Sequence, residues 1–264
     1  MKILFFGDVV GKPGRRAVAR RAAALAGDEG AELLVANCEN SAGGIGVDPG
    51  TARELLAAGV HVLTSGNHVW QKREIYGYLE SSDRLLRPAN FAPGVPGRGW
   101  SVYETEKGTP VAIVNLIGRV FMGPADCPFR AADAILEKIG DRARVIFVDM
   151  HAEATSEKTA MGRYLDGRVS AVVGSHTHVQ TADETVLAGG TAYITDAGMC
   201  GPNDSVIGMR TDQVVKRFLD QMPVRFEVGS GAALLQGVIV DVDEATGRAR
   251  GIRRIREILE GAAA

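Results

Sequence analysis

The sequence has few cysteines, no long apolar run and no excess of charge. Its three cysteines, Cys38, Cys127 and Cys200, form an odd and widely spaced set among 264 residues. Such a set does not predict a disulfide framework and fits a reducing compartment, so we expect a cytoplasmic protein. No apolar run approaches the roughly 20 residues of a membrane span. The N-terminus also lacks the basic segment and cleavage site of a signal peptide, so none is predicted.

Charges of the two signs nearly cancel, because 30 Lys and Arg residues oppose 32 Asp and Glu residues. A net charge of −2 does not indicate bulk attraction to nucleic acid, so a stable nucleic-acid partner is not expected. Hydrophobic residues make up 45% of the chain, which is enough for a large core. Because no repeat, low-complexity tract or linker divides the chain, we predict one domain over residues 1–264.

Apolar runs alternate with helical patterns in the first part of the chain. The runs KILFFGD, ELLVANCEN and VHVLTSGNH read as strands, and helices are predicted at residues 13–30 and 49–59 between them. This β-α-β-α-β order predicts parallel strands joined by right-handed crossovers. Residues 99–118 instead predict a hairpin, and residues 232–243 and 249–259 predict two long strands. We therefore predict an α/β protein in which antiparallel strands extend a parallel core.

Metal-capable side chains follow five of the predicted strands. The carboxyl ends of parallel strands meet at one edge of a sheet, so these side chains can converge although they are distant in sequence. Four of the five histidines lie at such positions, whereas His61 begins a strand and is interpreted as structural. The side chains at the five strand ends are Asp8, Glu39 with Asn40, Asn67 with His68, His151, and His176 with His178.

Each of these residues also has an ordinary interpretation. A histidine after a strand is often a hydrogen-bonded loop residue, Asp8 could cap the following helix, and Glu39 could lie in a solvated turn. Recurrence at five strand ends favours metal binding instead. The spacing of His176 and His178 predicts two imidazoles on the same side of an extended segment. Lys12 is followed by proline rather than Ser or Thr, so we predict a solvated side chain and not a nucleotide-binding loop.

The ligand types indicate which ions could bind. Carboxylates, amides and imidazoles without a thiolate favour manganese or iron and leave zinc open. Seven potential ligands are too many for one ion, so we predict two ions roughly 3.5–4 Å apart. The chemistry typical of such a centre is attack of a metal-bridging hydroxide on the phosphorus of a phosphate ester.

Several motifs in the chain resemble those of a known family. GNH at residues 66–68 and GSHTH at residues 174–178 resemble the calcineurin-like metallophosphoesterases. The similarity is greatest to the YmdB-like branch, on GDVVGKPGR, NCENSAGGIG, TSGNHVW, VDMHAEATSEK, GSHTHVQTAD and TDAGMCGP. The resemblance implies a four-layer α/β/β/α sandwich with mixed sheets. It also implies a phosphodiesterase whose substrate is a small cyclic nucleotide such as 2′,3′-cAMP.

The resemblance further implies the roles of individual residues. One ion would be held by Asp8, Glu39, Asn40 and His178, and the other by Glu39, Asn67, His151 and His176. It implies iron or manganese as the ions and His68 as the catalytic acid that protonates the leaving oxygen. The broader family has a histidine where this chain has Val10, and we infer that Asn40 compensates for the missing ligand while Glu39 bridges the ions.

Two other functions remain open at the level of sequence. The first is a phosphomonoesterase or phosphodiesterase of broad specificity, since a two-metal centre alone does not select diesters. The second is a metal-binding regulator or an RNA-associated protein with weak activity. The sequence leaves open the physiological substrate, the metal in the cell, the nucleoside contacts and whether the chain forms a homo-oligomer.

Overall fold

The computed structural model describes residues 1–261 and contains two β-sheets with helices on their outer faces. The first sheet consists of β1 (Lys2–Phe6), β2 (Asp8–Val9), β3 (Ala31–Asn37), β4 (Val62–Thr64), β11 (Met199–Pro202), β12 (Ala233–Val242) and β13 (Ala249–Leu259). The second consists of β5 (Trp100–Glu104), β6 (Pro110–Ile117), β7 (Val145–His151), β8 (Ala171–Ser175), β9 (Thr185–Val186) and β10 (Ala192–Ile194). The helices are α1 (Gly11–Glu29), α2 (Pro49–Ala57), α3 (Ile75–Ser81), α4 (Pro128–Ile139), α5 (Thr155–Tyr164) and α6 (Thr211–Asp220).

Strand pairing confirms the mixed architecture that the sequence predicts. β1, β3 and β4 pair in parallel, as do β6, β7, β8 and β10. The predicted hairpin is present, because β5 and β6 pair antiparallel. The long β12 runs antiparallel to both β1 and β13, so the C-terminal strands extend the first sheet. The carboxyl ends of the parallel strands are thereby available to form a common edge.

Successive side chains along each strand point to opposite faces of its sheet, and the core therefore consists of three apolar layers. On β1, Ile3 and Phe5 face the second sheet, whereas Leu4 and Phe6 pack under the helices of the first sheet. The rings of Phe5 and Phe147 meet between the sheets, with centroids 5.3 Å apart. A third layer lies between the second sheet and helices α4 and α5. The order of layers is α/β/β/α, as the resemblance implies.

Helix α1 begins two residues earlier than the predicted start at Pro13 and ends at Glu29. Gly30 closes it in the left-handed conformation, with φ of 65°. Lys12 is exposed, as predicted for a solvated side chain. His61 also has the structural role predicted for it, because its Nδ1 accepts a hydrogen bond from the Leu34 N–H at 2.9 Å. No helix among residues 1–261 combines the length and the apolarity that a membrane span requires.

Candidate metal centre

The strand ends of both sheets bring all the predicted site residues to one place. From the first sheet, Asp8 begins β2, while the other side chains follow β3 and β4. From the second sheet, His151 is the last residue of β7, and the remaining two histidines follow β8. The residues brought together are Asp8, Glu39, Asn40, Asn67, His68, His151, His176 and His178.

One group of potential ligands surrounds the ring of His151. Its Nε2 lies 3.0 Å from Asn67 Oδ1 and 3.1 Å from His176 Nδ1. Glu39 Oε2 is also 3.1 Å from the same nitrogen. Potential ligand atoms of Glu39, His151 and His176 all lie within 4.8 Å of one another, which is compatible with a shared cation.

A second group lies on the other side of Glu39. Potential ligand atoms of Asp8, Glu39 and His178 also lie within 4.8 Å of one another. His178 Nε2 is 3.9 Å from Asp8 Oδ1 and 3.1 Å from Asn40 Nδ2. Asn40 Nδ2 in turn donates to Glu39 Oε1 at 3.1 Å. Glu39 is therefore common to the two groups, with one carboxylate oxygen toward each.

Asp8 has one carboxylate oxygen that no other described residue satisfies. Its Oδ2 accepts a hydrogen bond from the backbone N–H of His176 at 2.9 Å. Its Oδ1 is buried and has no hydrogen-bond partner among the described residues. A buried carboxylate oxygen without a donor is costly, and burial raises the pKa of Asp8 to about 6. A cation facing Oδ1 would remove this penalty, so the donor set fits a metal ion.

Glu39 and His151 form a buried pair whose charges support each other. Burial opposes ionisation of Glu39, but His151 and His68 outweigh it, so the pKa of Glu39 lies well below its usual value. Burial also opposes protonation of His151, but Glu39 and Asp8 raise the pKa of that imidazole to about 9. His176 behaves differently, because burial and the neighbouring His151 lower its pKa to about 3. The directions of these shifts favour an ionised Glu39 beside a protonated His151 in the metal-free protein.

A buried polar network that the sequence interpretation missed supports His151. Its Nδ1 lies 2.9 Å from Ser175 Oγ, which donates to Asp149 Oδ1 at 2.6 Å. Thr64 and Asn37 donate to the other oxygen of Asp149. This network occupies the Nδ1 side of the ring and leaves Nε2 for the site. The signal that could have revealed it is an aspartate inside the apolar strand VIFVDMH.

The segment that carries His176 and His178 differs from the prediction. It is not extended, because β8 ends at Ser175 and both histidines have positive φ, 103° and 65°. The prediction of two imidazoles on the same side of an extended segment is therefore wrong. The reversal of the backbone directs His176 toward His151 and His178 toward Asp8.

Both histidines of this segment have a second partner for their rings. His178 Nδ1 donates to the carbonyl oxygen of Ile207 at 2.8 Å, so Nε2 carries the lone pair that faces the site. His176 Nε2 lies 3.1 Å from Glu153 Oε2. The sequence interpretation missed Glu153, although it follows His151 by two residues. Such partners fix the tautomer and the orientation of a ligating imidazole.

Gly66 and Val10 place no side-chain atoms among the potential ligands. A Cβ atom at Gly66 would lie 2.2 Å from both Glu39 Oε2 and His151 Nε2, so only glycine fits there. Val10 pairs with Asn40 in a parallel bridge, and its buried side chain packs with Met199 rather than in the site. Asn40 thus stands beside the position at which the broader family has a histidine.

His68 lies at the more open side of the site. Its Nδ1 is 2.9 Å from Asn40 Oδ1 and 3.3 Å from Glu39 Oε1, and 28% of its side chain is exposed. Asn67 and His68 point in different directions, because Asn67 contacts His151 whereas His68 contacts Asn40. With Nδ1 engaged, Nε2 is the ring nitrogen that can face a bound molecule.

The chain is similar to known proteins over nearly its whole length. The family model described as "YmdB-like protein" matches residues 4–255. The chain belongs to the YmdB-like family. A relative from Bacillus subtilis, named 2′,3′-cyclic-nucleotide 2′-phosphodiesterase, is 47% identical over 255 residues. The match covers 97% of this YmdB-like protein and 96% of the relative.

Solved structures give the same result for the fold. A crystal structure described as a novel phosphatase from Mycoplasma pneumoniae has a TM-score of 0.92 and 35% identity, covering 98% of this YmdB-like chain and 94% of the other. A calcineurin-like phosphoesterase from Bacillus subtilis has a TM-score of 0.51 at 12% identity, covering 100% and 92%. This second likeness shows the fold alone, which is that of the metallophosphoesterases.

Proposed function

We propose that this protein is a dinuclear-metal phosphodiesterase that hydrolyses cyclic nucleotides such as 2′,3′-cAMP. The observation that carries the proposal is the position of Glu39, which lies between two groups of potential ligands. A shared carboxylate is what a two-metal centre needs, because the two ions must act together on one phosphate. The name of the Bacillus subtilis relative supports the substrate class.

Seven residues would hold the ions. Asp8, Glu39, Asn40 and His178 would hold one ion, and Glu39, Asn67, His151 and His176 would hold the other. Their oxygen and imidazole donors suit iron or manganese. Asn40 would bind through Oδ1, which requires its amide to turn from its present contact with His68. Bound ions of this kind activate water as a nucleophile and neutralise charge on phosphoryl oxygens.

The chain itself supplies the proton for the leaving oxygen. His68 lies beside the ligands, and its Nδ1 is 3.3 Å from Glu39 Oε1. This contact turns Nδ1 toward the ligands and leaves Nε2 to donate a proton to the departing alkoxide, without relying on the Asn40 amide. General acids of this kind contribute roughly 10²–10⁴-fold to the rate. His68 is therefore assigned the catalytic role and not a ligand role.

Burial prepares the site for this chemistry. Asp8, Glu39 and His151 have at most 1% of their side chains exposed. In such surroundings, electrostatic interactions with a bound phosphate are stronger than in water. The partly exposed His68 marks the side from which a small diester would enter. The free thiols of Cys38, Cys127 and Cys200 agree with the predicted cytosolic location.

Elemental analysis combined with a substrate panel tests the proposal. We expect two iron or manganese ions per chain, activity lost with chelator and restored by Mn²⁺. Hydrolysis of 2′,3′-cyclic nucleotides should exceed that of 3′,5′-cyclic nucleotides and simple monoesters. The matched control is His61→Gln, which replaces a histidine remote from the site and should retain both ions and activity.

The panel also separates the other two functions. Faster turnover of monoesters than of diesters at equal concentration would favour a broad phosphomonoesterase and reject the proposed specificity. Full activity of metal-stripped protein in chelator would reject the metal centre. Bound ions without turnover of any ester, including bis-p-nitrophenyl phosphate, would favour a regulatory protein.

A further inference from the structure

The two histidines after β8 adopt a backbone conformation that needs external support. His176 has a φ of 103° and His178 a φ of 65°, in the left-handed region. Residues other than glycine rarely occupy this region of φ. Such backbone strain persists only where the surrounding structure enforces it. The strain lies at the point where one chain segment serves both groups of potential ligands. The contacts that hold this backbone conformation therefore affect both groups of potential ligands.

The support comes from Asp196, which contacts the residue between the two histidines. Asp196 Oδ2 accepts hydrogen bonds from the backbone N–H of Thr177 at 3.0 Å and from its hydroxyl at 2.8 Å. Its other oxygen accepts from the N–H of Gly198 at 2.8 Å. Asp196 is fully buried, so these bonds are shielded from water. The carboxylate thus fixes the peptide unit around which the backbone reverses.

The charge of Asp196 is balanced by a buried lysine. Lys158 Nζ donates to Asp196 Oδ2 at 2.7 Å, and only 1% of the lysine side chain is exposed. A lone buried charge is strongly unfavourable, so removal of either partner leaves the other unstable where it lies. The lysine passes beneath β8, where a Cβ atom at Gly174 would lie 3.0 Å from Lys158 Cδ. The ion pair is therefore part of the wall behind the two histidines.

We propose that the Lys158–Asp196 ion pair is a positioning device that holds His176 and His178 so that one imidazole faces each ion. The inference rests on the proposed two-metal function. Neither residue of the pair belongs to the potential ligands, and both act through Thr177. Thr177 directs its hydroxyl to Asp196, so its side chain can be altered without removing a ligand.

The pair differs from a ligand in the number of ions that it affects. Loss of a single histidine should weaken mainly the ion that this histidine faces. Loss of the support should weaken both ions, because both histidines leave their positions together. Partners behind a ligand typically change metal affinity by about 10–100-fold. A coupled loss of both affinities is therefore the signature of positioning.

The test uses the full chain and three variants, with Mn²⁺ alone as the probe. Thr177→Val keeps the branched shape but removes the hydroxyl donor, while Thr177→Ser keeps the donor and serves as the matched control. Lys158→Met removes the cation at similar length. Calorimetric titration should show both Mn²⁺ affinities lowered by about 10-fold in Thr177→Val and by up to about 100-fold in Lys158→Met. Thr177→Ser should stay within about twofold of the parent.

Hydrogen exchange of the metal-free proteins gives a readout that does not depend on ions. We expect faster exchange at residues 176–178 in Thr177→Val than in the parent or Thr177→Ser, with no change in β1. Exchange at these residues identical to that of the parent would overturn the proposal, as would loss of only one Mn²⁺ affinity. A parent that binds no Mn²⁺ would refute the proposed function, and the exchange result would still decide the positioning role. If Lys158→Met does not fold, the two Thr177 variants decide the question.

Discussion

The two sheets contribute different chemistry to the candidate centre. Among the potential ligands, the first sheet supplies the carboxylates and amides, whereas the second supplies the three imidazoles. The first-sheet side chains contact one another or the histidines directly, as when Asn40 donates to Glu39 and Asn67 contacts His151. The second-sheet histidines instead depend on further groups behind them, since His151 contacts Ser175 and His176 contacts Glu153.

The physical reason lies in the shapes of the ligands. A carboxylate offers two equivalent oxygens and can bind over a range of orientations. An imidazole offers one lone pair in the plane of its ring, so its tautomer and rotation must both be fixed. The histidine side of the site therefore requires supporting residues, which makes it sensitive to substitutions outside the ligands. Four experiments test this contrast, beginning with the largest expected effect.

Glu39→Gln should remove the connection between the two halves of the site. The amide cannot serve as a shared anionic ligand, so we expect both ions to be lost. Loss of several kcal/mol of charge stabilisation corresponds to a fall in kcat/KM of roughly 10⁴-fold or more. Elemental analysis and kinetics on one sample provide the measurement. Retention of two ions by Glu39→Gln would contradict the bridging role.

His68→Ala should lower the rate of hydrolysis without weakening the binding of either ion. We expect kcat to fall by about 10²–10⁴-fold while two ions remain bound. The effect should shrink for bis-p-nitrophenyl phosphate, because p-nitrophenolate leaves without protonation. The measurement compares kcat for this ester and for 2′,3′-cAMP. A missing ion in the variant would move His68 into the ligand set.

Asn40→Ala and His176→Ala form a matched pair, with one ligand from each sheet. Each variant should retain one ion, and the two should lose opposite ions, with kcat/KM lowered by about 10²–10³-fold. Competition between Mn²⁺ and Zn²⁺, followed by elemental analysis, distinguishes the sites. If Asn40 only caps a turn, Asn40→Ala would keep two ions and lose about 1 kcal/mol of stability in a denaturation curve.

The smallest effect concerns the pH dependence of the metal-free protein. His151 has its pKa raised to about 9 in the folded state, so its stabilising contribution is complete below 6.5 and is lost as pH rises through about 9. This loss should reach about 3 kcal/mol in the free energy of unfolding. Denaturant titrations of the parent and His151→Gln across this range provide the measurement.

Bound Mn²⁺ should reverse this slope, because ligands must lose their protons before an ion can bind. A flat profile for the metal-free parent, or an identical slope in His151→Gln, would show that His151 is not protonated in the metal-free site. The three second-sheet histidines would then be stable without a proton on His151 when no ion is bound.

Much of the fold was predictable because its signals are local. The run KILFF is continuously apolar, which predicts a strand buried on both faces, and its residues do pack in two apolar layers. The hairpin between β5 and β6 was predictable from the turn EKGT between two apolar runs. The site residues were found because polar side chains directly follow strands whose ends must meet.

The supporting residues were not predictable in the same way. Asp149 lies inside a strand, and the sequence shows it only as one polar position in an apolar run, without its contact with Ser175. Asp196 is 19 residues from Thr177 and 38 residues from Lys158, so no local pattern connects the three. Glu153 follows a predicted ligand, but its sequence position does not reveal which histidine it contacts.

The sequence by itself determined the alternation of strands and helices in the first part of the chain, the mixed sheets and the set of residues that converge at the site. These features follow from side-chain periodicity and from the turn residues, which act over a few positions. The tertiary structure decided which imidazole faces which group of ligands. That choice depends on the left-handed backbone at His176 and His178, which the spacing alone predicted to be extended. A conformation of this kind is unfavourable for the segment in isolation and is stable only because distant residues, above all the buried Asp196, enforce it.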